Sequence, residues 1–146
     1  MLESVISYGN EMFERMGEKI MASSVSRVSD ILCSILVSAS QKSGILTFTV
    51  RHIDFQRIFK NSVNTLSKDV IFSDSGPEPF SPILDDSLNH LILSGLTGYP
   101  DIQHPEQMLV KSSAFEYARE LDKSFSLAEK EQLNRLADEF LSSVKP

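Results

Sequence analysis

The sequence has no tryptophan, a single cysteine, and only six glycines and six prolines in 146 residues. One thiol cannot form a bridge within the chain, so a small scaffold stapled by its own disulfides is excluded. So few glycines and prolines exclude collagen-like and low-complexity architectures. Long hydrophobic runs are missing as well. The longest apolar-leaning stretch, Ile31 to Ala39, is interrupted by Ser34 and Ser38 and falls well short of the roughly 20 residues a membrane-spanning helix needs. Bases are outnumbered, 14 Lys and Arg against 20 Asp and Glu, for a formal net charge of −6. Binding to a phosphate backbone draws on counterions released by local lysines and arginines. Nucleic acid is therefore disfavoured by charge unless a basic patch is concentrated somewhere.

The motifs of common chemistries are also missing. His52, His90 and His104 are far apart in sequence and stand in neither an H-E-x-x-H nor a C-x-x-C setting, so no metal site is expected. There is no G-x-x-x-x-G-K-[ST] or G-x-G-x-x-G phosphate cradle and no G-x-S-x-G elbow. Asp85-Asp86 and Glu129-Lys130-Glu131 bring carboxylates together, but both fall in the first turns of expected helices, where the macrodipole favours acids. The chain is expected to be neither an enzyme nor a cofactor carrier. Met1-Leu2-Glu3-Ser4 places an acid where a secretory signal carries Lys or Arg, and the expected location is the cytoplasm. Cys33 sits in an apolar helical pattern and reads as a buried structural thiol.

What is present suits an ordinary globular chain, 41% hydrophobic and 23% charged. The expected architecture is α+β and mostly helical, one domain over 1–146 with an N-terminal helix (1–22), a core (24–111) and C-terminal helices (113–144). Met1, Val5, Tyr8, Met12, Met16 and Ile20 recur at helical spacing, and so do Val25, Val28, Ile31, Leu32, Ile35, Leu36 and Ala39, before Gly44 ends the second segment. Residues 44–50 alternate as a strand, with Leu46, Phe48 and Val50 on one face. A helix over 51–66 and a strand over 68–74 follow. Ser81 then caps a helix opened by Pro82 and stopped by Gly95. Residues 96–99 and 108–111 read as two short strands joined by a polar tip. Ser113-x-x-Glu116 and Ser126-x-x-Glu129 match capping boxes that open the last two helices.

The order helix, strand, helix, capped helix ending at Gly95-Leu96, then a two-stranded flap resembles a winged helix over roughly residues 24 to 122. Residues 80–96, Phe-Ser-Pro-Ile-Leu-Asp-Asp-Ser-Leu-Asn-His-Leu-Ile-Leu-Ser-Gly-Leu, look like the helix that precedes the wing in such proteins. With Gly-Pro-Glu-Pro-Phe-Ser before that helix and a helical tail after the wing, the chain is similar to small accessory subunits of bacterial conflict systems. These are the middle components of ABC-three-component systems, of which the Lamassu antiphage systems are an example. The resemblance implies a non-catalytic subunit that bridges an SMC-like ATPase and a nuclease effector. The apolar stripe of the last helix, Leu136, Phe140, Leu141 and Val144, is the candidate protein-docking surface; the same stripe could equally pack on the chain's own core.

DNA-binding winged helices offer Arg, Lys, Asn or Gln at the corresponding helix, whereas this one offers Asp85, Asp86, Asn89 and His90, and its wing tip adds Asp101 and Glu106. If the chain is instead a winged-helix transcription regulator, Arg51, Arg57, Lys60 and Lys68 have to carry the phosphate contacts. An immunity protein or antitoxin also fits an acidic chain with few motifs.

Overall fold

A helix that is apolar nearly all the way round belongs at the centre of a domain rather than on its surface. That is where residues 24–43 (α1) lie in the computed structural model, which describes residues 24–60, 70–73, 76 and 80–144. Val28, Ile31, Leu32, Ile35, Leu36 and Ala39 are all buried. Gly44 ends the helix at φ +73°, a backbone conformation costly for any residue with a Cβ, and its N–H donates to the Ser40 carbonyl at 2.8 Å. The expected helix over 1–22 lies outside the described residues.

The chain continues through β1 (Thr47–Thr49), α2 (His52–Phe59), α3 (Pro82–Leu93), β2 (Thr97–Gly98), β3 (Gln107–Val110), α4 (Ser112–Leu121) and α5 (Leu127–Ser143), with a 3₁₀ turn at Asp122–Ser124. The architecture is α+β and mostly helical, with one antiparallel three-stranded sheet in the order β1-β3-β2. Phe48 lies opposite Met108, and Thr97 opposite Val110. These four side chains form the inner, buried face of the sheet. Among the described residues no helix is long and apolar enough to cross a membrane.

Each helix is seated for an identifiable reason. Small side chains let α1 and α3 approach closely, and across that seam Ser29 donates to the Ser87 carbonyl at 3.2 Å and Ser87 to the Val25 carbonyl at 3.3 Å. α4 is fixed to α1 by the Tyr117 hydroxyl, which donates to Asp30 at 2.6 Å. α5 is held along its length. Arg27 of α1 pairs with Glu129 at 2.6 Å and lies over the Phe125 ring, while Lys42 at the other end of α1 pairs with Asp138 at 2.8 Å. The ring of Phe140 meets Phe48 of β1 edge-on at 5.2 Å and Phe55 of α2 in a stack at 5.4 Å, so a single side chain ties the last helix to the sheet and to α2.

The helix ends follow the sequence with one exception. Ser81 caps α3, accepting from the Leu84 N–H, with Pro82 in the first turn and Gly95 at φ +75° after the last. Ser126 and Glu129 form the expected reciprocal box at α5. The box expected at Ser113 and Glu116 does not form: Lys111 is the N-cap of α4 and no side chain caps it. The Ser113 hydroxyl is used elsewhere, donating to the Gly95 carbonyl at 2.6 Å and tying the start of α4 to the end of α3.

Two other elements are shorter than expected. Of the strand read over 68–74, the described residues show a single antiparallel bridge, Ser73 to Phe80, with no ladder. Val70 is buried and Ile71 exposed as alternation requires, but the segment pairs with none of the three strands of the sheet. Of the helix expected over 51–66, α2 accounts for His52–Phe59, and 61–66 fall outside the described residues.

Candidate interaction surfaces

α3 is anchored at its start by α2. Gln56, buried, uses both halves of its amide on one residue: its Nε2 donates to the Ser81 carbonyl at 3.1 Å and its Oε1 accepts from the Ser81 N–H at 2.8 Å. His52 Nδ1 lies 2.8 Å from Asp85 Oδ1, a second link between the same two helices. With Leu84, Leu88 and Leu91 turned to the core, the side of α3 left to solvent carries Asp86, Asn89, His90 and Leu93. Leu93 is 86% exposed.

The β2–β3 connection is a tight polar tip. The Asp101 side chain accepts from the Gln103 N–H at 2.9 Å, and its carbonyl accepts from the His104 N–H at 3.0 Å. The His104 ring stands between two carboxylates, with Nδ1 3.0 Å from Glu106 and Nε2 3.7 Å from Asp101. Hydrogen bonds from its own backbone N–H and from His104 hold the Glu106 carboxyl below the usual glutamate range. Ile102, at the tip, is 92% exposed. No lysine or arginine occurs between Lys68 and Lys111, a span that contains all of α3, β2 and β3.

Of the basic residues expected to serve phosphate, two are paired within their own helix turn. Arg51 and Arg57 both turn to Asp54, at 3.4 and 3.9 Å. Burial would raise the Asp54 carboxyl, but hydrogen bonds from Arg51 and the charges of both arginines outweigh it and leave it below its usual value. Lys60 is exposed just after α2, and Lys68 lies outside the described residues.

The terminal stripe had two roles open to it. Leu136 and Phe140 are buried in the chain's own core, and Leu141 and Val144 pack against that core half-buried. The reason is the aromatic cluster: Phe48 of β1 and Phe55 of α2 both meet the Phe140 ring of α5. Of the two roles open to the stripe, the folded chain uses it for packing.

A surface the sequence did not signal lies between α1, α4 and α5, an open cleft of about 590 Å³. Val37, Phe125 and Leu133 give it an apolar floor, and Arg119, Lys130 and Glu131 stand on its rim. Lys130 is paired with Asp122 at 3.2 Å. Its walls come from helices some 80 to 100 positions apart in sequence, each reading alone as an ordinary amphipathic face, so periodicity held no trace of it.

The buried groups offer little reactivity. Burial, with the Asp30 charge adding to it, pushes the Cys33 thiol up to about 12. The Tyr117 phenol, on an exposed side chain, is also pushed up to about 12, first by donating to Asp30 and then by partial burial. Among the described residues no group of three or more His, Cys, Asp or Glu converges as a metal would require. Comparison with family models, with curated proteins and with solved structures found no match to the chain.

Proposed function

We propose that this chain is a winged-helix-like accessory subunit that works by binding other proteins and does not itself catalyse a reaction. The order α1-β1-α2-α3-β2-β3 with strands arranged β1-β3-β2 supports the winged-helix reading. α3 then takes the place of the helix that such folds lay on a partner, and the β2–β3 hairpin takes the place of the wing.

The observation that carries a protein rather than a DNA partner is the chemistry of that helix. Asp86, Asn89, His90 and Leu93 face outward with no lysine or arginine among them. A duplex presents about one negative charge per 1.7 Å of axis, and a face bearing acid and leucine gains nothing from it. Arg51 and Arg57, at the preceding helix, both turn to Asp54. In this reading the chain joins an SMC-like ATPase to a nuclease effector in an antiphage complex of the cytoplasm.

Co-expression with an SMC-like ATPase and a nuclease, if its native host encodes these beside it, tests the proposal. The expected result is one complex of all three on size exclusion, stable to salt, and no gel shift of duplex DNA by the isolated chain at low salt. A salt-sensitive shift of duplex DNA by the chain alone, together with elution apart from both proteins, refutes it in favour of a regulator.

A further inference from the structure

α1 is buried on most sides, but between Ser34 and Gln41 one side stays open. Ile35, Leu36, Val37, Ala39 and Ser40 are buried there, whereas Ser34 and Ser38 are half-buried and Gln41 is exposed. That open side is the α1 wall of the cleft between α1, α4 and α5, where Phe115 of α4 joins the apolar floor of Val37, Phe125 and Leu133. The charges on the rim cancel, Arg119 and Lys130 against Asp122 and Glu131. An occupant is therefore selected by apolar fit rather than by the sign of its charge.

The chain carries a segment of that kind directly before α1. Met1, Val5, Tyr8, Met12, Met16 and Ile20 form an apolar stripe at helical spacing, in a stretch that mixes acids with bases. α1 is already helical at Ser24, and Ser23 before it is a residue type that opens a new helix, so Met21 to Ser23 suit the short turn of a helical hairpin. With a rise of about 1.5 Å per residue, the middle of the α1 wall lies about 20 Å along the helix from Ser24, and a helix returning over the same distance from Met21 is level with it at Tyr8. The wall from Ser34 to Gln41 and the stripe from Val5 to Met12 also span the same number of residues, about two helical turns each. So short a tether gives the segment an effective concentration of roughly millimolar, which a free partner would have to exceed.

We propose that residues 1–20 fold back along α1 as a helix and seat Val5, Tyr8 and Met12 against Val37, Phe115 and Leu133, so that the cleft is closed by the chain's own N-terminal stripe and is not a site for another protein.

A nitroxide attached to the full chain at Met12→Cys tests this, because the buried Cys33 thiol stays unlabelled. The expected result is loss of the amide signals of Val37, Ala118 and Leu133 at every protein concentration, while those of α3, held on another side of α1 through Ser29 and Ser87, keep their full height. Full signal in the cleft, or equal loss on α3, overturns the inference. So does loss that appears only when a labelled chain is mixed with an unlabelled one, which makes a second copy the occupant. The variant Tyr8→Asp, Met12→Asp replaces none of the described core residues and is expected to shift the amides of the cleft floor and leave those of α3 in place; an unmoved cleft floor is equally fatal. The protein-binding reading above stands under either result.

Discussion

Replacing Phe140 with alanine separates the two roles its stripe could play. The side chain is fully buried and touches two other rings, Phe48 and Phe55. Removing a buried phenylalanine side chain forfeits about 1.5 to 3 kcal/mol of transfer free energy, and each aromatic pair adds about 0.5 to 1.5 kcal/mol. Because these contributions overlap, the expected loss is about 3 to 5 kcal/mol, the range for Phe→Ala in cores. A domain of this kind is stable by only about 5 to 15 kcal/mol, so the variant should be folded but fragile. In urea, with a slope near 2 kcal/mol per molar, the midpoint should fall by about 1.5 to 2.5 M. Leu127→Ala, on the same helix but 75% exposed, should stay within about 0.5 kcal/mol of the parent. A Phe140→Ala midpoint within about 0.3 M of the parent would mean that α5 is not part of the core and that the stripe is available to a partner.

The remaining predictions concern the seams of the fold. Gln56→Leu keeps the volume but strands the Ser81 N–H, so it should cost about 2 to 3 kcal/mol in urea unfolding; a loss under about 0.5 kcal/mol would show that the amide does not hold α3. The Cys33 thiol, pushed up to about 12, should be inert to a thiol-reactive dye at neutral pH and react only in step with unfolding, and rapid labelling of folded protein would contradict its burial. The Glu129 carboxyl is lowered from 4.5, chiefly by the Ser126 backbone N–H and further by Ser126 and Arg27. A depressed folded value contributes stability above the unfolded one that is lost as pH falls through the folded one. The parent's advantage over Glu129→Gln should therefore be present at pH 7 and shrink below pH 4.5, and an advantage unchanged in strong acid would count against the pairing.

Local chemistry was the most legible part of this fold. Ser81, Pro82 and Gly95 bracket α3 as their backbone preferences require, and Ser126 with Glu129 opens α5, because caps depend on residues within one turn. The alternation around Phe48 marked β1 for the same reason. Where the sequence misled, a distant partner decided the outcome. Ser113 matched a cap by spacing, yet its hydroxyl reaches the Gly95 carbonyl 18 positions earlier. Val70 to Ser73 alternates like a strand but makes only a single bridge, to Phe80. The stripe of α5 was visible as a stripe, but whether it faced inward depended on Phe48 and Phe55 meeting the Phe140 ring. For the surfaces, the acidic outer side of α3 was legible, since it lies on one helix. The pairing of Arg51 and Arg57 with Asp54 was not foreseen, although spacings of three residues permit it.

The clamp between the two ends of the described chain has a consequence for biosynthesis. Arg27 finds Glu129 only 102 residues later, and the rings on β1 and α2 wait nearly as long for Phe140. Contacts this distant are slow to close. While the ribosome is still extending the chain, α1 emerges with its greasy sides bare, and a product halted before the final helix would present them to chaperones and proteases instead of to α5.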